Sequence, residues 1–449
     1  MLLKTYLFIL YLGFAPVAMG MISPMEKNLR REVKKAFPAA LRQLEEVVNM
    51  NSGTFNLEGV RQVGRFFSTP LQKLGFQTTW IPLDHVQRSG HLVAEWKGSR
   101  SKKTVLLIGH LDTVFEKDSA FQKFQRLDED RVKGPGIYDM KGGIVAMLLS
   151  LNALKNAGLL DHQHLIIVLT GDEERAGRDA KGSPLASRQA LIDAAKRSDY
   201  ALGFEPGWAG NINNVTIARR SSTGWTLTAN APPGHSSTVF GKGGAGSIYP
   251  VARALDRFRT GLGGRRYLTF NPGLITGGTE LKMNEEKTGA QVRGKTNVIA
   301  RQTVVRGGIR AMSREQFAEA RSSMEKIVAA VQEDFRRQYP TDPPLTMTLE
   351  FGQGYPPMSP TAGNEALFQI LAKVHRDLGL GQAVRVDPGT RGAADISFIA
   401  GLVDGALDGL GPLGEGAHSE EEIIHLKSLE ETAIRSAVFL HRLQNPSKP

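Results

Sequence analysis

The stretch TVLLIGHLDTV, residues 104–114, decides the fold of this chain. Its apolar run at 105–108 has no polar alternation, which is typical of a sheet strand that is covered on both faces. The runs LIIVL at 165–169 and YALGF at 200–204 repeat the pattern, and a helix is predicted at 142–157, between the first two runs. Strands and helices in alternation predict an α/β sandwich.

The rest of the chain adds helices and a second set of strands. Apolar residues recur at helical spacing in 25–48 and in 57–73. From residue 219 the pattern predicts, in order, a strand at 219–230, a helix at 246–260, strands at 268–276 and 290–305, a helix at 313–337 and a strand at 345–351. This β-α-β-β-α-β order is the ferredoxin-like arrangement. We therefore expect an inserted α+β domain at residues 218–354, within an α/β domain made of residues 21–217 and 355–449.

The composition excludes several kinds of site. The chain has 449 residues, of which 41% are hydrophobic, so it can bury a large core. It contains no cysteine, which excludes disulfides, thiolate nucleophiles and cysteine-bound metals. The net charge is +11, but no basic stretch carries interleaved aromatic residues, so we expect no nucleic-acid binding.

Residues 1–20, MLLKTYLFILYLGFAPVAMG, are similar to a secretory signal peptide. Lys4 precedes a short apolar run, and Ala18 and Gly20 are small residues at plausible cleavage positions. We therefore expect a periplasmic or secreted protein, whereas a true start at Met21 or Met25 would leave it cytoplasmic. No other stretch reaches the length of a transmembrane helix, so we expect no membrane association after this segment is removed.

Acidic and histidine residues lie in several loops of the predicted α/β domain. His110, Glu173, Glu174 and Glu205 follow predicted strands, Asp139 lies just before the helix predicted at 142–157, and His418 lies near the C-terminus. In an open α/β sheet the loops at the carboxyl ends of parallel strands meet in one crevice, so these side chains can come together. Without cysteine, such a set of oxygen and imidazole ligands suits a borderline cation such as zinc.

Five motifs carry a resemblance to a known family. They are HLDTV (110–114), GPGIYDMKGG (134–143), GDEERAG (171–177), FEP (204–206) and GEGAHSEEE (414–422). In this order and spacing they resemble the two-zinc metallopeptidase family of glutamate carboxypeptidase, aminoacylase and succinyl-diaminopimelate desuccinylase. The resemblance implies a zinc-exopeptidase-like α/β sandwich as catalytic domain, with the ferredoxin-like insertion serving as a lid and dimerisation domain.

The resemblance also implies two zinc ions per subunit, although cobalt or manganese suits the same ligands. Asp139 would bridge both ions with its two carboxylate oxygens. His110 and Glu205 would complete one ion, and Glu174 and His418 would complete the other.

The remaining catalytic roles follow from the same resemblance. Glu173 would be the general base, which takes a proton from the attacking water and passes it to the leaving nitrogen. Asp112 would orient His110, as carboxylates often do for zinc-bound histidines. The family often has a cis peptide bond after the bridging aspartate, here Asp139-Met140.

Several residues are expected to contact the substrate. His235 resembles the lid histidine of the family, which often reaches the site of a partner subunit, and Asn297 and Arg310 match further lid residues. The family arginine that binds a substrate carboxylate after the last lid strand is missing from GQGYPPMSP, residues 352–360. Our hypothesis is that Arg391, in GTRGAAD, replaces it. We also expect Asp395 to support the site near His418.

Three functions remain open from the sequence. The first is zinc-dependent hydrolysis of a peptide or N-acyl amide bond next to a free carboxylate, as in a glutamate carboxypeptidase. The second keeps the site but acts on N-acyl amino acids, as an aminoacylase or desuccinylase does. The third is a binding protein on the same fold without catalysis, which the presence of Glu173, Asp112 and all five ligands argues against.

Overall fold

The computed structural model describes residues 22–284 and 288–444, and the expected signal peptide at 1–20 lies outside them. Within these residues the helices are α1 (Pro24–Val48), α2 (Leu57–Leu74), α3 (Gly142–Asn156), α4 (Leu185–Ala195), α5 (Ile248–Leu262), α6 (Arg314–Gln338), α7 (Ala362–Leu378) and α8 (Leu426–Gln444). The strands are β1 (Gln77–Leu83), β2 (Arg88–Lys97), β3 (Thr104–His110), β4 (Gln125–Arg126), β5 (Arg131–Lys133), β6 (His164–Thr170), β7 (Tyr200–Gly203), β8 (Asn214–Val215), β9 (Thr223–Asn230), β10 (Thr269–Gly278), β11 (Glu280–Met283), β12 (Ala290–Arg293), β13 (Gln302–Arg310), β14 (Thr346–Phe351), β15 (Val384–Arg385), β16 (Gly405–Leu407), β17 (Gly414–Glu415) and β18 (Ile423–His425).

The main sheet has the strand order β1-β2-β6-β3-β7-β16. Strand β3 runs parallel to β6 and β7, whereas β1 and β2 extend one side as antiparallel strands. Val105 and Leu107 pack into one hydrophobic cluster, with α1, α3 and α8, while Leu106 and Ile108 pack into another on the opposite face. The sheet is therefore covered on both faces, and the predicted α/β sandwich is confirmed.

An ion pair joins the start of α1 to the end of α8. Ser23 and Glu26 form a capping box at the start of α1, so that two unpaired backbone N–H groups are satisfied. Nε of Arg442 in α8 donates to Glu26 at 2.6 Å, which joins the two ends of the described chain. This contact anchors α1 over the sheet.

The insertion has a four-stranded sheet in the order β10-β13-β9-β14, with α5 and α6 packed on one face. This is the ferredoxin-like order. The buried residues of its hydrophobic cluster run from Trp225 to Met347 along the chain. The single strand expected at 290–305 is instead divided, because β12 pairs with β11 in a separate hairpin while β13 joins the main lid sheet. The turn that separates β12 from β13 contains Asn297.

Two features differ from the sequence prediction. Strands β17, β18, β5 and β4 form a small extra sheet, which the sequence does not reveal because two or three residues show no periodicity. The stretch Ile137–Asn156 is also long and apolar enough to cross a membrane, contrary to our expectation. It is mostly buried in the fold, as a core helix of the sandwich would be.

Candidate metal centre

The carboxyl ends of the parallel strands bring the expected ligands together. His110 ends β3, Glu174 follows β6 and Glu205 follows β7. Asp139 lies in the turn before α3, and His418 lies in the loop between β17 and β18. Strand β18 also pairs with β5, so the small sheet brings the His418 loop alongside the segment that leads to Asp139.

The carboxylate of Asp139 is shared between two imidazoles. Its Oδ1 lies 3.1 Å from Nε2 of His110, and its Oδ2 lies 3.1 Å from Nε2 of His418. Glu205 approaches the first imidazole at 3.9 Å, and Glu174 approaches the second at 3.2 Å. The five residues therefore form two nitrogen-and-oxygen groups with Asp139 in common.

The charges of these groups fit divalent cations. Among the described residues, Asp139, Glu174 and Glu205 form no ion pair with Lys or Arg, and the partners in their ion pairs are histidines. Burial, followed by the charge of Asp139, raises the pKa of Glu205 to about 8. Hydrogen bonds to Asp139 and then Glu174 raise the pKa of His418 to about 11. Three carboxylates in one site thus raise the proton affinity of neighbouring groups. Metal cations can supply the same positive charge in place of protons.

Asp112 fixes both glutamates that follow β6. Its Oδ1 accepts a hydrogen bond from the backbone N–H of Glu173 at 3.0 Å, and its Oδ2 accepts one from that of Glu174 at 3.2 Å. Nδ1 of His110 lies 3.0 Å from the backbone carbonyl oxygen of Asp112 and 3.5 Å from Oδ1. Asp112 therefore orients His110 mainly through its carbonyl group, while its carboxylate positions the glutamates.

Glu173, unlike its neighbour Glu174, forms no ion pair with the site histidines among the described residues. The hydroxyl of Tyr355 donates to the backbone carbonyl of Glu173 at 3.1 Å. Burial, with the nearby carboxylates of Glu205 and Asp395, raises the pKa of Glu173 well above its usual range. A carboxyl group held in this way has the proton affinity that a general base requires.

Glu422 is a site residue that the sequence analysis did not identify. Its buried carboxylate accepts hydrogen bonds from the backbone N–H groups of Gly136, Tyr138 and Asp139, at 3.1, 2.8 and 2.9 Å. The following peptide bond, Asp139-Met140, is cis, as the family resemblance implied. Glu422 ends the run SEEE, and the sequence gives no sign of which of its three glutamates is buried.

A buried charge network lies behind Glu173. The guanidinium of Arg188 donates to Asp172 at 2.6 Å and to Asp395 at 2.7 Å. Thr170 also donates to Asp395, at 2.5 Å. Asp395 was expected near His418, but its described contacts are with this network, because the segment Asp395–Phe398 packs beside the end of β6.

His235 and Asn297 lie together in the lid, whereas Arg310 lies at the other end of β13. The backbone N–H of Ser236 donates to the carbonyl of Asn297 at 2.9 Å, so His235 and Asn297 are neighbours. Arg310 ends β13 near the turn that contains Arg391, where a Cβ added to Gly392 would lie 3.6 Å from its Nη1. In the described part of the chain, no hydrogen bond or ion pair joins His235, Asn297 or Arg310 to one of the five expected metal ligands.

Arg391 is buried on the side of the site that holds Glu205. Only 7% of the residue is exposed, and its guanidinium stacks on the ring of Trp208 at 4.5 Å. Its Nε has no hydrogen-bond partner among the described residues. Burial, followed by the charge of Arg219, lowers its pKa to about 10, while Glu205 acts in the opposite direction. Nearby Arg219, which we did not identify from the sequence, pairs with Asp408 at 2.7 Å.

Comparison with known proteins gives consistent matches. Residues 106–441 match Peptidase family M20/M25/M40. The chain is 26% identical to carboxypeptidase G2 of Pseudomonas sp. (strain RS-16) over 390 residues, which are 86% of this chain and 84% of that protein. It is 25% identical to succinyl-diaminopimelate desuccinylase of Magnetococcus marinus over 389 residues, 84% of this chain and 91% of that protein.

Solved structures share the fold. Aminopeptidase PepT from Bacillus cereus superposes with a TM-score of 0.71 at 16% identity, covering 91% of this chain and 98% of that one. A dinuclear metal-binding peptidase from Bacillus subtilis superposes with a TM-score of 0.64 at 12% identity, covering 92% and 100%. These likenesses extend over both the sandwich and the inserted lid.

Proposed function

The chain belongs to Peptidase family M20/M25/M40 and is a metallohydrolase, and we propose that it cleaves a peptide or N-acyl amide bond next to a free carboxylate. The observation that carries the proposal is the position of Asp139, whose two oxygens face His110 and His418 at 3.1 Å each. Two ligand groups that share one carboxylate are the arrangement that a pair of cations needs.

The ligands fit two zinc ions. His110, Asp139 and Glu205 would hold one, and Asp139, Glu174 and His418 the other. Their nitrogen and oxygen atoms also suit cobalt or manganese. When bound, such a pair supplies Lewis acidity, which polarises the scissile carbonyl and makes water acidic enough to attack near neutral pH.

Glu173 would move the proton. Its carboxylate takes a proton from the attacking water and delivers it to the leaving nitrogen, so that the amine departs in neutral form. Its backbone is held at the N–H by Asp112 and at the carbonyl by Tyr355. A base fixed at both peptide groups keeps its position through the two proton transfers.

Arg391 would bind the substrate carboxylate. A buried guanidinium whose Nε lacks a partner retains donor capacity for an anion. Because Arg391 lies on the Glu205 side, the substrate carboxylate, and hence the leaving amine, would lie on that side of Asp139.

His235, Asn297 and Arg310 would contact the substrate from the lid. Because none of them touches a metal ligand within the described chain, we propose a homodimer in which the lid of one subunit completes the site of the other. An exported location, periplasmic or secreted, remains our proposal from the N-terminal segment.

The second candidate function is deacylation of an N-acyl amino acid. Matched relatives include both a carboxypeptidase and a succinyl-diaminopimelate desuccinylase, which share the hydrolytic chemistry and differ in the acyl group. The deciding experiment measures free-amine release by the metal-loaded protein from dipeptides and from N-acyl amino acids, with and without chelator. Chelator-sensitive release supports the proposal, and the best substrate distinguishes the two candidates. No release from any member, despite bound metal, would overturn it in favour of a binding protein.

A further inference from the structure

We propose that Lys141 is a positioning residue of the metal centre, which sets the place of Glu174 relative to the shared carboxylate of Asp139. Lys141 is the lysine of the motif GPGIYDMKGG, and it is neither one of the five expected ligands nor the general base. The proposal rests on the two-cation arrangement of the proposed function. It adds that Lys141 controls the affinity for the cation on the Glu174 side and leaves the affinity for the other cation nearly unchanged.

The side chain of Lys141 is completely buried, and two backbone carbonyl groups hold it. Its Nζ donates to the carbonyl oxygen of Met50 at 2.9 Å and to that of Pro135 at 3.3 Å. Among the described residues, these carbonyls, rather than acids, are its hydrogen-bond partners. The amino group therefore links two segments that are far apart in the chain, through bonds that an apolar side chain could not replace.

The first segment is the turn that carries Asp139. Pro135 lies at the start of this turn, and the backbone N–H of Lys141 donates to the carbonyl of Gly136 at 2.8 Å. Glu422 holds the same turn by its N–H groups. The turn is therefore fixed at its N–H groups by an acid and at a carbonyl group by a lysine.

The second segment is the loop at residues 50–54, which follows α1. The backbone N–H of Thr113 donates to the carbonyl of Ser52 at 2.9 Å, and that of Thr54 donates to the carbonyl of Thr113 at 3.2 Å. The hydroxyl of Thr54 donates to Oδ2 of Asp112 at 2.7 Å. The 50–54 loop thus lies against Thr113 and fixes the carboxylate of Asp112.

Asp112 extends these contacts to Glu174. Its Oδ2, the atom that Thr54 binds, also accepts a hydrogen bond from the backbone N–H of Glu174 at 3.2 Å. A chain of contacts therefore joins the turn of Asp139 to Glu174. Its links, in order, are Lys141, the 50–54 loop with Thr54, and Asp112. Both ends of this chain are expected ligands of the same cation.

The ligands of the other cation depend less on this chain of contacts. His110 is the last residue of β3 and Glu205 follows β7, so the main sheet itself places them. His110 contacts Asp112 mainly at its backbone carbonyl, not at the carboxylate that the 50–54 loop holds. Glu174, by contrast, lies in the loop after β6 and is bound by that carboxylate. A shift of the 50–54 loop would therefore move Glu174 before it moved His110.

A metal titration of the folded protein measures the two cations separately. Metal-free protein is titrated with zinc against a chelator of known affinity, and cobalt absorption spectra report the ligand geometry. We expect Lys141→Met, which keeps the length of the side chain and removes its donors, to weaken one of the two binding steps by about 10- to 100-fold. Glu174→Gln identifies this step, because it removes a ligand of the same cation. Lys141→Arg keeps hydrogen-bond donors and should recover part of the affinity.

Thr54→Val tests the same chain of contacts at another link, without a change at Lys141. Val has the shape of Thr but cannot donate to Asp112, so we expect it to weaken the same binding step. The losses of binding free energy in the double variant K141M/T54V should add up to less than the sum of the two single losses, because both substitutions break one chain. If circular dichroism shows that Lys141→Met does not fold, the titration of Thr54→Val decides.

The matched control is Lys155→Met, which changes an exposed lysine at the other end of α3 and should leave both binding steps as in the wild type. Equal weakening of both steps in Lys141→Met would overturn the proposal. Wild-type affinities in folded Lys141→Met or in Thr54→Val would overturn it too, as would fully additive losses in K141M/T54V.

These titrations need no substrate, so they separate this proposal from the proposed function. If the variants behave as expected but the protein cleaves no amide, the role of Lys141 is supported and the proposed function fails. A wild type that binds only one cation would overturn the role of Lys141, whereas chelator-sensitive amine release would still support the proposed function.

Discussion

The carboxylate of Glu422 accepts a hydrogen bond from the backbone N–H of Asp139 at 2.9 Å, although 283 positions separate the two residues in the chain. The same carboxylate binds the N–H groups of Gly136 and Tyr138, so one side chain holds the whole turn before α3. Asp139, which is shared by the two ligand groups, is thus positioned by Glu422, which directly precedes β18. Metal binding at Asp139 would therefore be coupled to the packing of β18 through this contact.

Replacing Glu422 with Gln should lower the affinity for metal by about 10- to 100-fold, the usual effect of removing a group that orients a ligand. The amide has one acceptor oxygen for three N–H donors and adds an NH₂ group that faces them. A titration of metal against a chelator of known affinity measures the change, with circular dichroism to verify folding.

The control is Glu421→Gln, because Glu421 is 82% exposed and its one ion pair within residues 22–284 and 288–444 is with Lys133 at 3.0 Å. Its metal affinity should equal that of the wild type. A similar loss of affinity in both variants would mean that local charge, rather than the grip on Asp139, is responsible.

Replacing Glu173 with Gln should lower kcat by about a hundred- to ten-thousand-fold, the range expected when a general base is lost. The metal content should remain that of the wild type, because Glu173 is not one of the five ligands. Glu174→Gln is the comparison, since it should reduce the metal content instead. Steady-state kinetics measure kcat and elemental analysis measures the metal content of both variants. A kcat for Glu173→Gln close to the wild-type value would contradict its role as general base.

Removing the metals should destabilise the protein as well as inactivate it. Cations that bind only the folded chain add about 2.7 kcal/mol to its free energy of unfolding when their free concentration is 100 times the dissociation constant. Urea unfolding with zinc and after chelation measures the difference, and re-addition of zinc, cobalt or manganese should restore activity. Identical unfolding curves in the two states would argue against binding at Asp139, Glu174 and Glu205.

The sequence reveals the parts of the fold that depend on long apolar patterns. The run at 105–108 predicts a strand covered on both faces, and alternate residues of β3 do pack into opposite clusters. The small sheet of β4, β5, β17 and β18 is invisible by contrast, because its strands are too short for a period to appear. Yet this sheet carries the approach to His418, so part of the site rests on structure that periodicity does not detect.

The same limit applies to single residues. The positions of His110, Glu174 and Glu205 follow from strands that end at one edge of a sheet. Glu422 and Arg188 do not follow, because their roles come from contacts with residues far away in the chain. A charged residue in a polar loop looks exposed until the tertiary partners that bury it are known.

His375 should make the stability of the fold depend on pH. Burial, followed by the charge of Arg435, lowers its pKa to about 3, and its buried Nε2 has no hydrogen-bond partner among the described residues. The unfolded chain takes up a proton below its usual pKa of about 6.5 while the folded chain does not, so stability falls as the pH drops from there towards about 3. By pH 5 this group should cost about 2 kcal/mol.

Urea unfolding at pH 7 and pH 5 tests this prediction. His375→Gln should lose less stability between the two values than the wild type, by about 2 kcal/mol. His85→Gln, which changes an exposed histidine, should follow the wild type. The same pH dependence in His375→Gln and the wild type would show that the buried imidazole is not responsible.

Replacing Arg391 with Gln should raise KM for substrates with a free carboxylate by about tenfold or more, because a charge-assisted contact is lost. If the carboxylate is bound equally in the ground and transition states, kcat should change little. Arg391→Lys keeps the charge but not the paired donors of the guanidinium, so its KM should fall between the two. Initial-rate kinetics over a range of substrate concentrations measure all three proteins.

The substrate itself provides the control for Arg391, because the residue is buried and its replacement also disturbs the stacking on Trp208. A substrate whose free carboxylate is converted to an amide removes the anion and leaves the protein intact. For the wild type, KM for this amide should be about as high as the KM of Arg391→Gln for the acid. Arg391→Gln should have about the same KM for the acid and for the amide. If Arg391→Gln instead raises KM equally for the acid and the amide, the loss lies in the shape of the pocket, and another residue must bind the carboxylate.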